Sequence, residues 1–208
     1  LFRSLNDRQS AWAEARALPP LLAHLGTSLV ERTLLHALSR RHGVTTATLW
    51  RENPARVDLG ALRPELAGSA PRDWLPAQPA PWVWARHTVG MADPLDAADV
   101  AAGERLDDGL PQSLVENIRR YGLRHFKLKA AGEFTRDRER LARIVVLLER
   151  ECGPDFAFSI DGNESFHAAE EFVAYARSLH EIPALRAVWT RLLFFEQPWH
   201  RDVALAPA

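Results

Sequence analysis

The sequence predicts an α/β fold: a helical region, then strand–helix units that lay down a parallel sheet. Three observations carry this. Residues 1–52 repeat apolar positions at helical spacing. Residues 53–81 are interrupted by Pro54, Pro64, Pro71, Pro76, Pro79 and Pro81, the mark of a connecting segment and a domain boundary. Beyond Pro81, short β-branched and aromatic runs alternate with amphipathic stretches. Two regions follow, 1–80 and 81–208.

In the first region, Asn6 or Asp7 is placed to cap a short helix ending before Pro19-Pro20. Ser28 and Glu31 have capping-box spacing. The helix they begin aligns Val30, Leu34, Ala37 and Leu38 on one apolar face and ends at Gly43. In the second region, Trp82–Thr88 (WVWARHT) reads as a strand. Pro111–Tyr121 reads as a helix closed by Gly122, and Arg124–Lys129 (RHFKLK) as a strand. Thr135–Glu151 is an amphipathic helix with Leu141, Ile144, Val145 and Leu148 on its apolar face. Phe156–Asp161 (FAFSID) is a strand, Ser165–His180 a helix, Pro183–Trp189 a further turn or two, and Arg191–Glu196 (RLLFFE) a strand stopped by Pro198.

Composition narrows the function. The 208 residues are 47% hydrophobic and 25% charged, enough apolar content for a packed core. A net charge of −1 asks for neither nucleic acid nor an anionic membrane surface. The longest apolar runs are too short to span a bilayer, and LFRSLNDRQS has no apolar leader core. One cysteine, Cys152, excludes an internal disulfide framework and fits a reducing, cytoplasmic setting. The single methionine is Met91, so residue 1 is not expected to be a translation start. Among 26 basic residues only Lys127 and Lys129 are lysines. Lysine can give up its proton and arginine in practice cannot.

Side chains alternate across a strand, which separates Phe126 and Leu128 from Lys127 and Lys129. It likewise separates Phe156, Phe158 and Ile160 from Ala157, Ser159 and Asp161. In the last strand, Leu192, Phe194 and Glu196 alternate with Leu193 and Phe195. Three successive strands therefore carry ionisable groups near their C-terminal ends. Lys129 and Asp161 are 32 residues apart, close to the roughly 31 residues of one unit in a (β/α)8 barrel. The groups then come level at one rim, the end where barrel enzymes keep their active sites. Carboxylates on adjacent strands suit a hard divalent cation; a ring of structural ion pairs is the competing reading.

FKLK at 126–129, SIDGN at 159–163 and FFEQP at 194–198 together resemble the enolase superfamily, closest to its mandelate racemase and muconate lactonizing branch. The resemblance covers about Trp82 to the end, with the helix around Glu31–Arg41 similar to the family's capping domain. It implies a partial (β/α)8 TIM barrel, about strands 1–4, preceded by helices of an α+β capping domain. It implies that Asp161 and Glu196 bind Mg²⁺, that Lys129 removes a proton α to a carboxylate with Lys127 as its partner, and that Asn163 and Thr88 lie at the substrate. The product of that step is an enolate whose charge the metal stabilises. The base must be neutral to act, and a second ammonium on the same face is expected to lower its pKa. The activity implied is that of an acid-sugar dehydratase or a racemase or epimerase acting on a small carboxylate, in a homo-oligomer.

The family also has a third acidic ligand on the fifth strand, an acid or base on the opposite wall and an amino-terminal sheet. None is visible between residues 1 and 208, so the expectation is a fragment inactive alone. Two other readings stay open: a Schiff-base lysine aldolase, and a non-catalytic half-barrel module. The remaining candidates are assigned ordinary roles: His87 and His125 to core or edge, His167 and Glu170 to a surface pair, Cys152 to helix-end packing, and the seven tryptophans to core or interface.

Overall fold

The computed structural model describes residues 2–61 and 63–204. They form two compact units that meet in sequence at Trp82 and Val83.

The first unit is helical. Its elements are α1 (Phe2–Glu14), α2 (Pro20–His42), α3 (Thr46–Glu52), a 3₁₀ turn at Pro64–Leu66 and α4 (Pro71–Trp74). Proline starts several of these. Pro20, Pro64 and Pro71 sit in the first turn, where the missing N–H costs nothing. The proline-rich segment is therefore partly helical rather than a bare connection. Pro20 also overturns the capping box: α2 begins well before Ser28, which with Glu31 lies inside a continuous helix. Asn6 and Asp7 are likewise interior to α1. Gly43 closes α2 in the left-handed region (φ 64°), as its position suggests.

The expected apolar face of α2 is not buried. Val30, Leu34 and Ala37 are exposed, and the buried residues are Ala23 and Ser39. The reason is where neighbours pack. Near the start of α2, Gln9 of α1 donates to the Ala23 carbonyl (2.8 Å). Near its end, Ser39 and Thr46 hydroxyls approach to 3.5 Å.

The second unit contains β1 (Arg86–Val89), α5 (Leu114–Tyr121), β2 (His125–Lys129), α6 (Phe134–Cys152), β3 (Ala157–Asp161), α7 (Ala169–His180), α8 (Pro183–Ala187), β4 (Leu192–Glu196) and α9 (Arg201–Ala204). The strands form one sheet in the order β1-β2-β3-β4, every neighbouring pair parallel. β1 and β4 are its edges. Phe126, Leu128, Phe158 and Ile160 are wholly buried among Ile118, Leu141, Ile144, Leu148, Leu179 and Leu185 from the helices. Burying six such side chains at roughly 1.5–3 kcal/mol each is the main force holding helices to sheet.

Local signals set several boundaries. Ser113 caps α5 by accepting the Glu116 N–H (3.3 Å), while the Glu116 carboxylate accepts the Ser113 N–H (3.1 Å). That box starts the helix at Leu114 rather than Pro111. β1 is shorter than expected: Trp82, Val83 and Trp84 are exposed and precede it. Trp84 instead stacks on His125 (centroids 4.8 Å apart). Of the other tryptophans, Trp189 and Trp199 pack against the core, whereas Trp12, Trp50 and Trp74 are exposed. Cys152 is buried at the end of α6, its Sγ 3.6 Å from the Leu123 carbonyl. Burial pushes that thiol's pKa up.

β4 departs from simple alternation. Leu192 pairs with Phe158, but Phe195, not Phe194, pairs with Ile160. The irregularity brings Leu192 and Phe195 to the core, exposes Leu193 and Phe194, and aligns Glu196 with Asp161. No helix among the described residues is long and apolar enough to cross a membrane.

Candidate functional site

The face of the sheet turned away from the helices is charged. Parallel pairing places Thr88 beside Lys127, Lys127 beside Ser159, Lys129 beside Asp161 and Asp161 beside Glu196. Five sequence-predicted residues come together at the C-terminal ends of β2, β3 and β4. The Lys127 amine lies 2.7 Å from Asp161 Oδ2 and 2.7 Å from Glu196 Oε1. The Lys129 amine donates to Asp161 Oδ2 (2.7 Å) and to Asn163 Oδ1 (2.6 Å). Asp161 is buried, and its other oxygen accepts the Asn163 N–H (2.9 Å).

These contacts fix protonation. Burial raises the Asp161 pKa, but hydrogen bonds from Lys127, Lys129 and the Asn163 N–H more than offset it, so the carboxyl lies below its usual range. At Lys127, burial favours the neutral amine, and the Asp161 and Glu196 carboxylates outweigh it; the net shift is upward. Two carboxylates touch the Lys127 amine directly, which sets that direction.

Thr88 is only partly gathered in. It is exposed and level with Lys127, but no hydrogen bond among the described residues ties it to the cluster. His125 shares the lysine face, one step deeper, against Trp84; His87 points to the helix side with Val89 and is half-buried. Burial lowers the His87 pKa against the pull of Asp93. The His167 ring stacks on His200 (4.6 Å) rather than pairing with Glu170.

Arg86 is a member that strand-end reading misses. Its guanidinium donates to Ser159 Oγ (3.0 Å) and lies 3.0 Å from Glu196 Oε2, with Phe194 beneath it (5.7 Å). Glu196 is thus bracketed by Lys127 on one oxygen and Arg86 on the other. The clue in sequence is parity: Arg86 is two residues before Thr88, on the same face. Backbone strain also marks this rim. Asn163, Glu164 and Gln197 all have positive φ (49°, 62° and 41°), and such strain gathers at functional sites. A bidentate Glu164–Arg201 pair (2.7 and 3.0 Å) and the Phe166–Trp199 bridge hold those loops.

Among the described residues, no group of three or more His, Cys, Asp or Glu side chains is arranged to hold a metal ion. The pair Asp161 and Glu196 nevertheless fits Mg²⁺ in kind. Both are oxygen donors on adjacent strands, and Mg²⁺ is commonly held by one or two carboxylates with the rest of its shell from water or substrate. Glu196 Oε2 is buried and accepts no aligned hydrogen bond; its neighbour is the Arg86 guanidinium at 3.0 Å, with which such a cation would share it. No family model, curated protein or solved structure matches this chain.

Proposed function

We propose that this chain carries part of the active site of an enolase-superfamily enzyme, a dehydratase of acid sugars or a racemase or epimerase, that removes a proton α to a carboxylate with the help of Mg²⁺. One observation carries the reading: the chain's only two lysines meet its two rim carboxylates at the C-terminal ends of adjacent parallel strands.

Asp161 and Glu196 would hold the metal, which supplies positive charge opposite the charge that develops on the substrate carboxylate. Lys129 is the base. Its amine takes the α-proton, the C–H bond breaks, and the electron pair moves into the carboxylate. Asn163, bonded to that amine and to the Ala130 carbonyl (2.9 Å), restricts where it sits. Lys127 remains an ammonium and is a fixed positive charge beside the base. Its tight pairing disfavours imine formation, which needs a free amine, and so weighs against Lys127 as the lysine of an aldolase.

The test is α-proton exchange into D₂O across a library of small carboxylates, with Mg²⁺ or with a chelator, in the protein that carries this chain. Exchange is expected with Mg²⁺ only, and Lys129→Met should abolish it. Exchange that persists in Lys129→Met, or none with any acid, refutes the proposal. Borohydride trapping of a substrate on either lysine without metal would favour the aldolase instead.

A further inference from the structure

Asp137 is a buried carboxylate that this chemistry does not use. It lies in the first turn of α6 and is 1% exposed. Its Oδ1 accepts the Ala131 N–H (2.9 Å), and its Oδ2 accepts the N–H groups of Ala131 (3.1 Å) and Gly132 (3.0 Å). The Tyr175 hydroxyl of α7 donates to the same Oδ2 (2.8 Å). Burial, and then the Asp137 carboxylate, push the Tyr175 pKa up, so the phenol keeps its proton and remains a donor.

The backbone held in this way is the loop that begins directly after Lys129. The loop is tied on its other side as well. Asn163 Nδ2 donates to the Ala130 carbonyl (2.9 Å), Ser165 Oγ to the Ala131 carbonyl (3.0 Å), and Asn163 Oδ1 accepts from the Lys129 amine. An unbroken chain of contacts therefore runs from Tyr175 through Asp137, the loop and Asn163 to Lys129. Two helices beneath the sheet are coupled to one amine above it.

We propose that Asp137, backed by Tyr175, is a positioning residue for Lys129: it pins the post-β2 loop and so fixes where the Lys129 amine sits at the rim. A charged acceptor for two half-buried N–H groups gives a stiff anchor, since such bonds are about twice as strong as neutral ones. Its loss strands those donors. Among the described residues, Lys127 has no hydrogen bond to the loop or to Asn163; it is held by Asp161 and Glu196 and meets this chain only through Asp161 Oδ2, which it shares with Lys129. The consequence for catalysis rests on Lys129 being the base, but the positioning itself does not.

Two lysines make the test direct. In the 208-residue chain labelled with ¹³C-lysine, the Cε region contains two signals, assigned by Lys127→Arg and Lys129→Arg. Asp137→Asn should shift and narrow the Lys129 signal by more than its line width and move Lys127, coupled only through Asp161, by much less. Tyr175→Phe should do the same to a smaller extent. It keeps the main-chain bonds to Asp137, so it carries the test should Asp137→Asn fail to fold. An unmoved Lys129 signal in the folded variants, or a Lys127 signal that moves as far as Lys129, overturns the proposal. No activity is read, so a failure of the proton-abstraction reading leaves the result standing.

Discussion

Replacing Lys127 with methionine removes the cation shared by two carboxylates and keeps the length of the apolar stem. Removing one partner of a buried pair costs about 3–5 kcal/mol. The loss here should be smaller for reasons visible in the structure. Asp161 keeps the Lys129 amine at 2.7 Å and the Asn163 N–H at 2.9 Å. Glu196 keeps Arg86 at 3.0 Å, and its side chain is 23% exposed, so water screens part of what is lost. We expect a destabilisation of about 2 kcal/mol, or a fall in Tm of about 8 °C at roughly 4 °C per kcal/mol for a unit of this size. Thermal and urea unfolding at pH 7 measure it. The difference from wild type should shrink as the pH falls and the carboxylates protonate. A Tm unchanged within 1 °C or raised, or a difference that persists at low pH, would refute the view that Lys127 is held by these two ion pairs.

Two further outcomes follow from other parts of the fold. Gly132 has φ 76°, and a Cβ there would lie 2.2 Å from Ser165 Cβ; Gly132→Ala should cost about 2–4 kcal/mol in urea unfolding, and adding Ser165→Gly should recover only the steric part. The second concerns pH. Glu116 is held down to about 2, first by its bond from Arg105, and Asp99, Glu151, Asp161 and Glu164 also lie below their usual values beside cations. Carboxylates lowered in the folded state stabilise it fully above their unfolded pKa, about 4, and lose that contribution as the pH falls through the folded values. Lys127 is raised, so its contribution is complete below about 10.4 and fades above that. Stability followed by circular dichroism should be highest between about pH 7 and 8, decline below about 6.5 because burial keeps His87 from taking up a proton, and fall further between about 4 and 2. It should also decline above about 8.5, where buried Cys152 resists ionising; a profile with no loss between about pH 6.5 and 5 would contradict this.

The alternation of strands and helices after Pro81, the parallel sheet and the two faces of β2 and β3 were legible in the sequence, because each rests on local periodicity. Phe126 and Leu128 can face only one way if Lys127 and Lys129 face the other. The rim spacing of Lys129, Asp161 and Glu196 was legible for the same reason: successive strand–helix units have similar lengths. The buried face of α2 was not legible, since Val30, Leu34 and Ala37 form a sound helical stripe and only the positions of α1 and α3 decide that Ala23 and Ser39 are covered instead. Nor was the parity of β4. The irregularity opposite Phe158 and Ile160 exchanges Phe194 for Phe195 in the core, and no residue type announces it.

The sequence by itself determined which residues are ionisable and which strand ends they occupy, because residue type and strand period are both local to the chain. Only the tertiary structure decided what those residues touch. Arg86 reaches Ser159 and Glu196 from 73 residues away in the first case, and Lys127 reaches Glu196 across 69. Those contacts set the upward shift at Lys127. A pKa answers to the charges nearest in space, and the register of four strands brings those together.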